Sequence, residues 1–122
     1  MKVALTVWEN RISPLFDSTR MLIIANIKNR SVTDKHYEPF NYDSPFTRAA
    51  KLSDLGVKLL ICGAISDFFS NLIETYGIRT TPFVAGAVNE VLDAYLTGDL
   101  SSSKYRMPGC GTMPDRDFRM EK

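Results

Sequence analysis

The chain has 122 residues, 44% of them hydrophobic, which suffices for one domain whose core closes without a disulfide or metal staple. Fifteen Lys and Arg against fourteen Asp and Glu leave a formal net charge of +1, with no basic block, so nucleic acid and anionic lipid are not expected as partners. The opening MKVALTVWEN carries an apolar run only from Val3 to Trp8, too short for a signal segment or a membrane span, and a cytoplasmic protein is expected. In that reducing compartment the two cysteines, Cys62 and Cys110, read as free thiols or metal ligands rather than as a disulfide.

KVALTVW is a near-continuous apolar run of strand formers and predicts a buried first strand, with ENRISP after it as a loop. MLIIANI predicts a second strand. After a turn at Lys28, Asn29 and Arg30, the polar RSVTDKHYEP predicts a third, paired antiparallel with the second at a sheet edge. His36 falls there in phase with Asp34 and Glu38 and reads as a solvated edge residue.

The period then becomes helical. Ser44 is an N-cap, Pro45 the first helical residue, Phe46, Ala49, Ala50 and Leu52 the apolar side, and Gly56 the stop. VKLLIC predicts a fourth strand. Ser66 caps a second helix with Phe68, Phe69, Leu72, Ile73 and Tyr76 on one side, ended by Gly77. IRTTPF predicts a brief fifth strand, and Val88, Val91, Leu92, Tyr95 and Leu96 repeat at helical spacing until Gly98. A core of Val3, Leu5, Val7, Ile23, Leu59, Ile61, Leu72, Val88, Leu92 and Leu96 follows.

Crossover helices between strands imply right-handed parallel connections, whereas the hairpin adds an antiparallel strand. The expected fold is therefore α/β, with a mixed five-stranded sheet of order 3-2-1-4-5, strand 2 antiparallel, and helices on both faces. That is the arrangement of the three-layer ribonuclease H-like fold. The domain is expected over residues 1–100, with residues 101–122 a flexible tail around MPGCGTMP. The first strand connects to one side and the fourth strand begins the other, so a crevice is expected between their carboxyl ends.

Cys62 falls at the lip of that crevice. It reads either as a small hydrophobe ending a buried strand or as a thiolate favoured by the helix N-terminus four residues on. Arg11 and Ser13 lie in the first loop, Arg11 as an anion holder or a solvated arginine. The strands KVALTVW and VKLLIC hold no carboxylate for two-metal nuclease chemistry, and the sequence has no phosphate-binding glycine motif, no C-x-x-C, and no histidine placed to activate a nucleophile. No enzymatic activity is expected.

RISPLFDSTRMLIIANI, AAKLSDLGVKLLICGAIS and IETYGIRTTPFVAGAVNEVLDAYLTGDL, together covering most of Lys2 to Leu100, resemble the dinitrogenase iron-molybdenum cofactor biosynthesis family. The resemblance implies a small accessory protein that binds or carries a metal-sulfur cluster, iron-sulfur or molybdenum-containing, or its precursor, with cluster donor or recipient proteins as partners. It implies Cys62 and Cys110 as metal ligands, Cys62 first, with Arg11 and Ser13 hydrogen-bonding the cluster's sulfides. Many relatives carry a histidine in the loop before the first helix, where this chain reads NYDSPF. Tyr42, Asp43 and Ser44 replace it poorly for a soft cluster, which leaves thiolates. The alternative reading is a small-ligand or nucleotide-binding regulatory module that holds an anion at the helix N-terminus of Ser66, and a third is a protein-interaction domain without a ligand.

Overall fold

The computed structural model describes residues 1–41, 44–101 and 103–107, so Tyr42, Asp43 and Cys110 lie outside the described residues. Six strands and three α-helices follow one another as β1 (Lys2–Trp8), β2 (Arg11–Ile12), β3 (Met21–Lys28), β4 (Ser31–Pro39), α1 (Pro45–Asp54), β5 (Val57–Ile61), α2 (Asp67–Thr75), β6 (Arg79–Thr81) and α3 (Val88–Thr97). The sheet runs β4-β3-β1-β5-β6, with β2 paired to β1 off this path. β3 is antiparallel to both its neighbours, while β1, β5 and β6 are parallel.

The punctuation read from the sequence has a local physical cause in each case. Ser44 Oγ accepts from Thr47 N–H with Pro45 in the first helical position, and Ser66 Oγ accepts from Phe69 N–H. Gly98 ends α3 at φ 85°, a left-handed conformation that residues with a side chain rarely adopt. The β3–β4 turn uses Asn29 and Arg30 at φ 54° and 63°.

ENRISP, expected as a loop, contains β2. Glu9 and Asn10, at φ 50° and 66°, make a two-residue turn that folds Arg11 back opposite Trp8 and Ile12 opposite Val7. A strand of two residues is shorter than any periodicity can mark.

Alternation along β1 splits the core in two, because successive side chains leave opposite faces of a sheet. Ala4, Leu22, Ile24, Leu60 and Cys62 face α1 and α2, packed with Phe16, Phe40, Phe69 and Ile73. Val3, Leu5, Val7, Ile23, Leu59 and Ile61 face α3, packed with Val88, Val91 and Leu92. The expected single core is corrected accordingly: Leu72 belongs with the α1/α2 layer, and Leu96 is only half-buried.

The helix faces also differ from expectation. Phe46 and Phe68 are 60% and 55% exposed and meet edge to face at 6.1 Å, whereas Arg48, a polar residue on α1, is 2% exposed. Its guanidinium donates to the carbonyls of Phe16 (3.3 Å) and Thr19 (3.0 Å) and lies over the Phe40 and Phe16 rings. Arg48 thus ties the segment after β2 to α1. Among the described residues no helix is long and apolar enough to cross a membrane.

Candidate functional site

All three helices begin at one edge of the sheet. α2 and α3 follow the parallel strands β5 and β6, and α1 follows β4, whose end lies beside the start of β3 through the Met21↔Pro39 pair. The Phe46–Phe68 contact joins the first turns of α1 and α2, and the Val88 N–H donates to Asn10 O, joining the start of α3 to the β1–β2 turn. Each N-terminus carries unpaired N–H groups and about half a positive charge, so the carboxyl edge of the sheet favours anions. α3 has no side-chain cap to satisfy its first turn.

The crevice expected there is shut at its base. Ala64 N–H donates to Pro14 O at 2.8 Å, Phe16 N–H to Ala64 O at 2.8 Å, and Phe83 N–H to Gly63 O at 2.8 Å. A Cβ on Gly63 would stand 2.5 Å from the carbonyl oxygens of both Ser13 and Pro14, so glycine is required for this approach. The Val84 N–H donates to Cys62 O, and Ala85 N–H to Tyr105 O, so one ladder of backbone bonds crosses the edge from Pro14 to the segment after α3.

Of the four residues expected at the site, Arg11, Ser13 and Cys62 are described, and their surroundings differ. Arg11 is exposed on β2, bridged to Ala87 beside the start of α3. Ser13 is 6% exposed, with its N–H on Thr6 O and its carbonyl under Gly63. Cys62 is fully buried and packs in the α1/α2 core. Cys110 lies outside the described residues.

The thiolate expected of Cys62 is disfavoured by this burial. Loss of solvation, with the carboxylate of Asp17 adding to it, pushes the thiol up from 9.0 to about 12. A folded value above the unfolded one means that the contribution to stability is complete below pH 9.0 and fades as the pH rises toward 12. In the native protein, peptide mass mapping after alkylation at neutral pH is therefore expected to find Cys62 unmodified, and modified once urea is present. The urea midpoint is expected to fall as the pH is raised above 9.0. Modification of native Cys62 at the unfolded rate would remove the protonated, sealed thiol.

Several residues at this edge were not singled out from the sequence. Phe83 adopts φ 63° and is 40% exposed, a strained conformation for a bulky side chain, and such strain gathers at functional positions. Phe16, fully buried, carries the turn against α1 and α2. Thr6 Oγ1 is buried with no hydrogen-bond partner among the described residues. None of these has a local sequence signal, since each depends on what another segment brings to it. Groups of three or more His, Cys, Asp and Glu able to cage a metal ion are absent among the described residues.

The fold and this edge define a mixed α/β domain that converges three helix N-termini on one rim of its sheet. The family model described as dinitrogenase iron-molybdenum cofactor matches residues 1–98, and the chain belongs to that family. No curated protein matches it. Among solved structures it is similar to PH0822 (TM-score 0.76, 19% identity, covering 80% of this chain and 92% of that one). It is also similar to mj0327 from Methanocaldococcus jannaschii (0.66, 18%, 81% and 90%) and to the apo form of the orange protein from Desulfovibrio gigas (0.66, 15%, 80% and 88%). At these identities the likeness speaks for the fold.

Proposed function

We propose that this protein binds a metal-sulfur cluster, iron-sulfur or molybdenum-containing, or its precursor, as cargo at the carboxyl edge of the sheet. The observation that carries this reading is the convergence of the N-termini of α1, α2 and α3 on that edge, in a chain of the dinitrogenase iron-molybdenum cofactor family. Sulfide-rich clusters are anions, and three helix dipoles with Arg11 beside them suit an anion better than a bare cation. The described residues offer no cage of protein ligands, so the cargo is held chiefly by charge and hydrogen bonds, with thiolate as a supplement.

The burial of Cys62 supports reading the two thiols in the opposite order to that expected from the sequence. Cys110 is the first thiolate donor, and Cys62 would serve only if the Gly63 turn parted from Pro14. The protein acts without catalysis, as an accessory in the cytoplasm that passes the cluster from a donor to a recipient protein. We read the domain as ribonuclease H-like, because β4-β3-β1-β5-β6 with β3 reversed is that fold's order.

Anaerobic reconstitution with iron, sulfide and molybdate should give a protein that absorbs in the visible and retains metal through gel filtration. Arg11→Glu and Cys110→Ser should each lower the metal retained while leaving the melting temperature unchanged. A colourless, metal-free product overturns the reading, and full retention in both variants moves the site elsewhere. A second reading has its own observation: a pocket on the α3 face, lined by Asn10, Ile23, Lys35, Tyr37, Val88 and Asn89, sets the Lys35 ammonium beside the uncapped start of α3. That arrangement suits a phosphate-bearing small ligand in a regulatory module, which would bind without colour.

A further inference from the structure

Phe83 is held in a conformation that its side chain opposes. At φ 63° the Cβ of an L-residue crowds its own backbone, so glycine takes this conformation freely, asparagine tolerates it, and a bulky aromatic rarely adopts it. The surrounding chain imposes it. Phe83 N–H donates to Gly63 O at 2.8 Å, Phe83 O accepts from Met107 N–H at 3.0 Å, and the next residue, Val84, donates its N–H to Cys62 O at 3.0 Å. Phe83 joins neither core layer and is 40% exposed, so the fold gains less from this ring than from a buried one. Strain kept without a matching gain in packing marks a residue with a task outside the fold.

The place of Phe83 gives the task. Gly63, its backbone partner, lies three residues before Ser66, the N-cap of α2, and Phe83 itself lies four residues before Ala87, the N-cap of α3. The residue thus stands between two of the three helix N-termini at the carboxyl edge. We propose that Phe83 is a positioning residue of the cluster site, an apolar wall that keeps water from the cargo held at those N-termini. This role rests on cluster binding at this edge and adds a residue that retains the cluster there. Water removed from one flank of an anion lowers the local dielectric and strengthens the pull of the helix dipoles on it. A phenyl ring does this without leaving a polar group of its own unpaired against the sulfides.

The test uses the full chain and the substitutions Phe83→Gly, Phe83→Ala and Phe83→Leu. Without metal, the urea midpoint of Phe83→Gly is expected to lie above that of Phe83→Ala, the reverse of the usual order of these residues, because only glycine is released from the strain. A Phe83→Ala midpoint equal to or above that of Phe83→Gly overturns the strained conformation and the proposal with it. After anaerobic reconstitution with iron, sulfide and molybdate, Phe83→Gly and Phe83→Ala are both expected to lose metal several-fold faster than the unmodified chain on gel filtration, and to shift its visible bands. Phe83→Leu, which restores an apolar side chain, is expected to bring retention and bands back close to those of the unmodified chain. Retention that follows the urea midpoints, full in Phe83→Gly and low in Phe83→Ala, leaves the ring a structural role alone and overturns the proposal. So does full retention in both, or a loss in Phe83→Leu as large as in Phe83→Ala. An unmodified chain that takes up no metal overturns cluster binding itself, and the Phe83 wall with it, whereas failure of the wall alone shows only in the variants.

Discussion

Replacing Gly63 by alanine is expected to destabilise the protein by about 3 kcal/mol and to part the loops at the carboxyl edge, because among the described glycines its Cβ position is the most crowded. The added Cβ would stand 2.5 Å from Ser13 O and Pro14 O and 2.8 Å from Pro14 C. All three are backbone atoms, so no rotamer change relieves the contact, and one loop must move. Movement stretches the bonds from Ala64 N–H to Pro14 O and from Phe16 N–H to Ala64 O, each contributing roughly 1 kcal/mol. The urea midpoint should fall with an unchanged slope, because the surface exposed on unfolding stays the same. Parting the loops also disturbs the rim on which the helix N-termini converge, so the proposed cluster binding should weaken in parallel. A Gly63→Ala protein as stable as its parent would show that the two loops do not meet as closely as the geometry gives.

Phe16→Ala should destabilise the protein by about 3 to 5 kcal/mol, as removal of a large buried aromatic does. Phe16 has no exposed surface and meets Phe69 edge to face at 5.2 Å and Phe40 at 5.8 Å. Aromatic pairs of this geometry add about 0.5 to 1.5 kcal/mol beyond burial. The guanidinium of Arg48 lies 5.7 Å from the ring, so the substitution also removes apolar cover from a buried cation. Phe16→Leu, which refills most of the space, should cost less than half as much. Chemical denaturation distinguishes the two, and a loss below about 1 kcal/mol for Phe16→Ala would mean that the α1/α2 layer collapses readily into the gap.

Phe16 lies on the stretch between β1 and β3, and Gly63, after β5, packs against it; this is where sequence reading is least informative. A glycine permits close backbone approach, but what approaches Gly63 is Ser13–Pro14, about fifty residues away in sequence. Phe16 lay between a turn and a strand without periodic neighbours. The expected apolar face of α1 included Phe46 and omitted Arg48, since a helical wheel marks which residues share a side but not which partners await them. Phe16 and Phe40 build an aromatic slot that takes the guanidinium, and the carbonyls of Phe16 and Thr19 satisfy it. Phe46, at the first turn, projects past the sheet edge instead.

What the sequence by itself determined is what short-range chemistry determines. Val3 to Val7 and Leu22 to Ala25 are apolar enough to be buried on both faces, Ser44, Pro45 and Ser66 start helices, and Gly98 ends one, so a mixed α/β domain with three helices was legible from residues within a few positions of one another. The depth of Cys62 was decided only by the tertiary structure. Its place at the end of β5 is local, but parity along the strand turns it toward α1 and α2, into a buried layer that Phe16 and Phe40 join from distant segments. Solvation is lost through those remote contacts, so the thiol becomes a core group held protonated, and the anion-favouring character of the edge resides in three helix N-termini that no single stretch of sequence displays together.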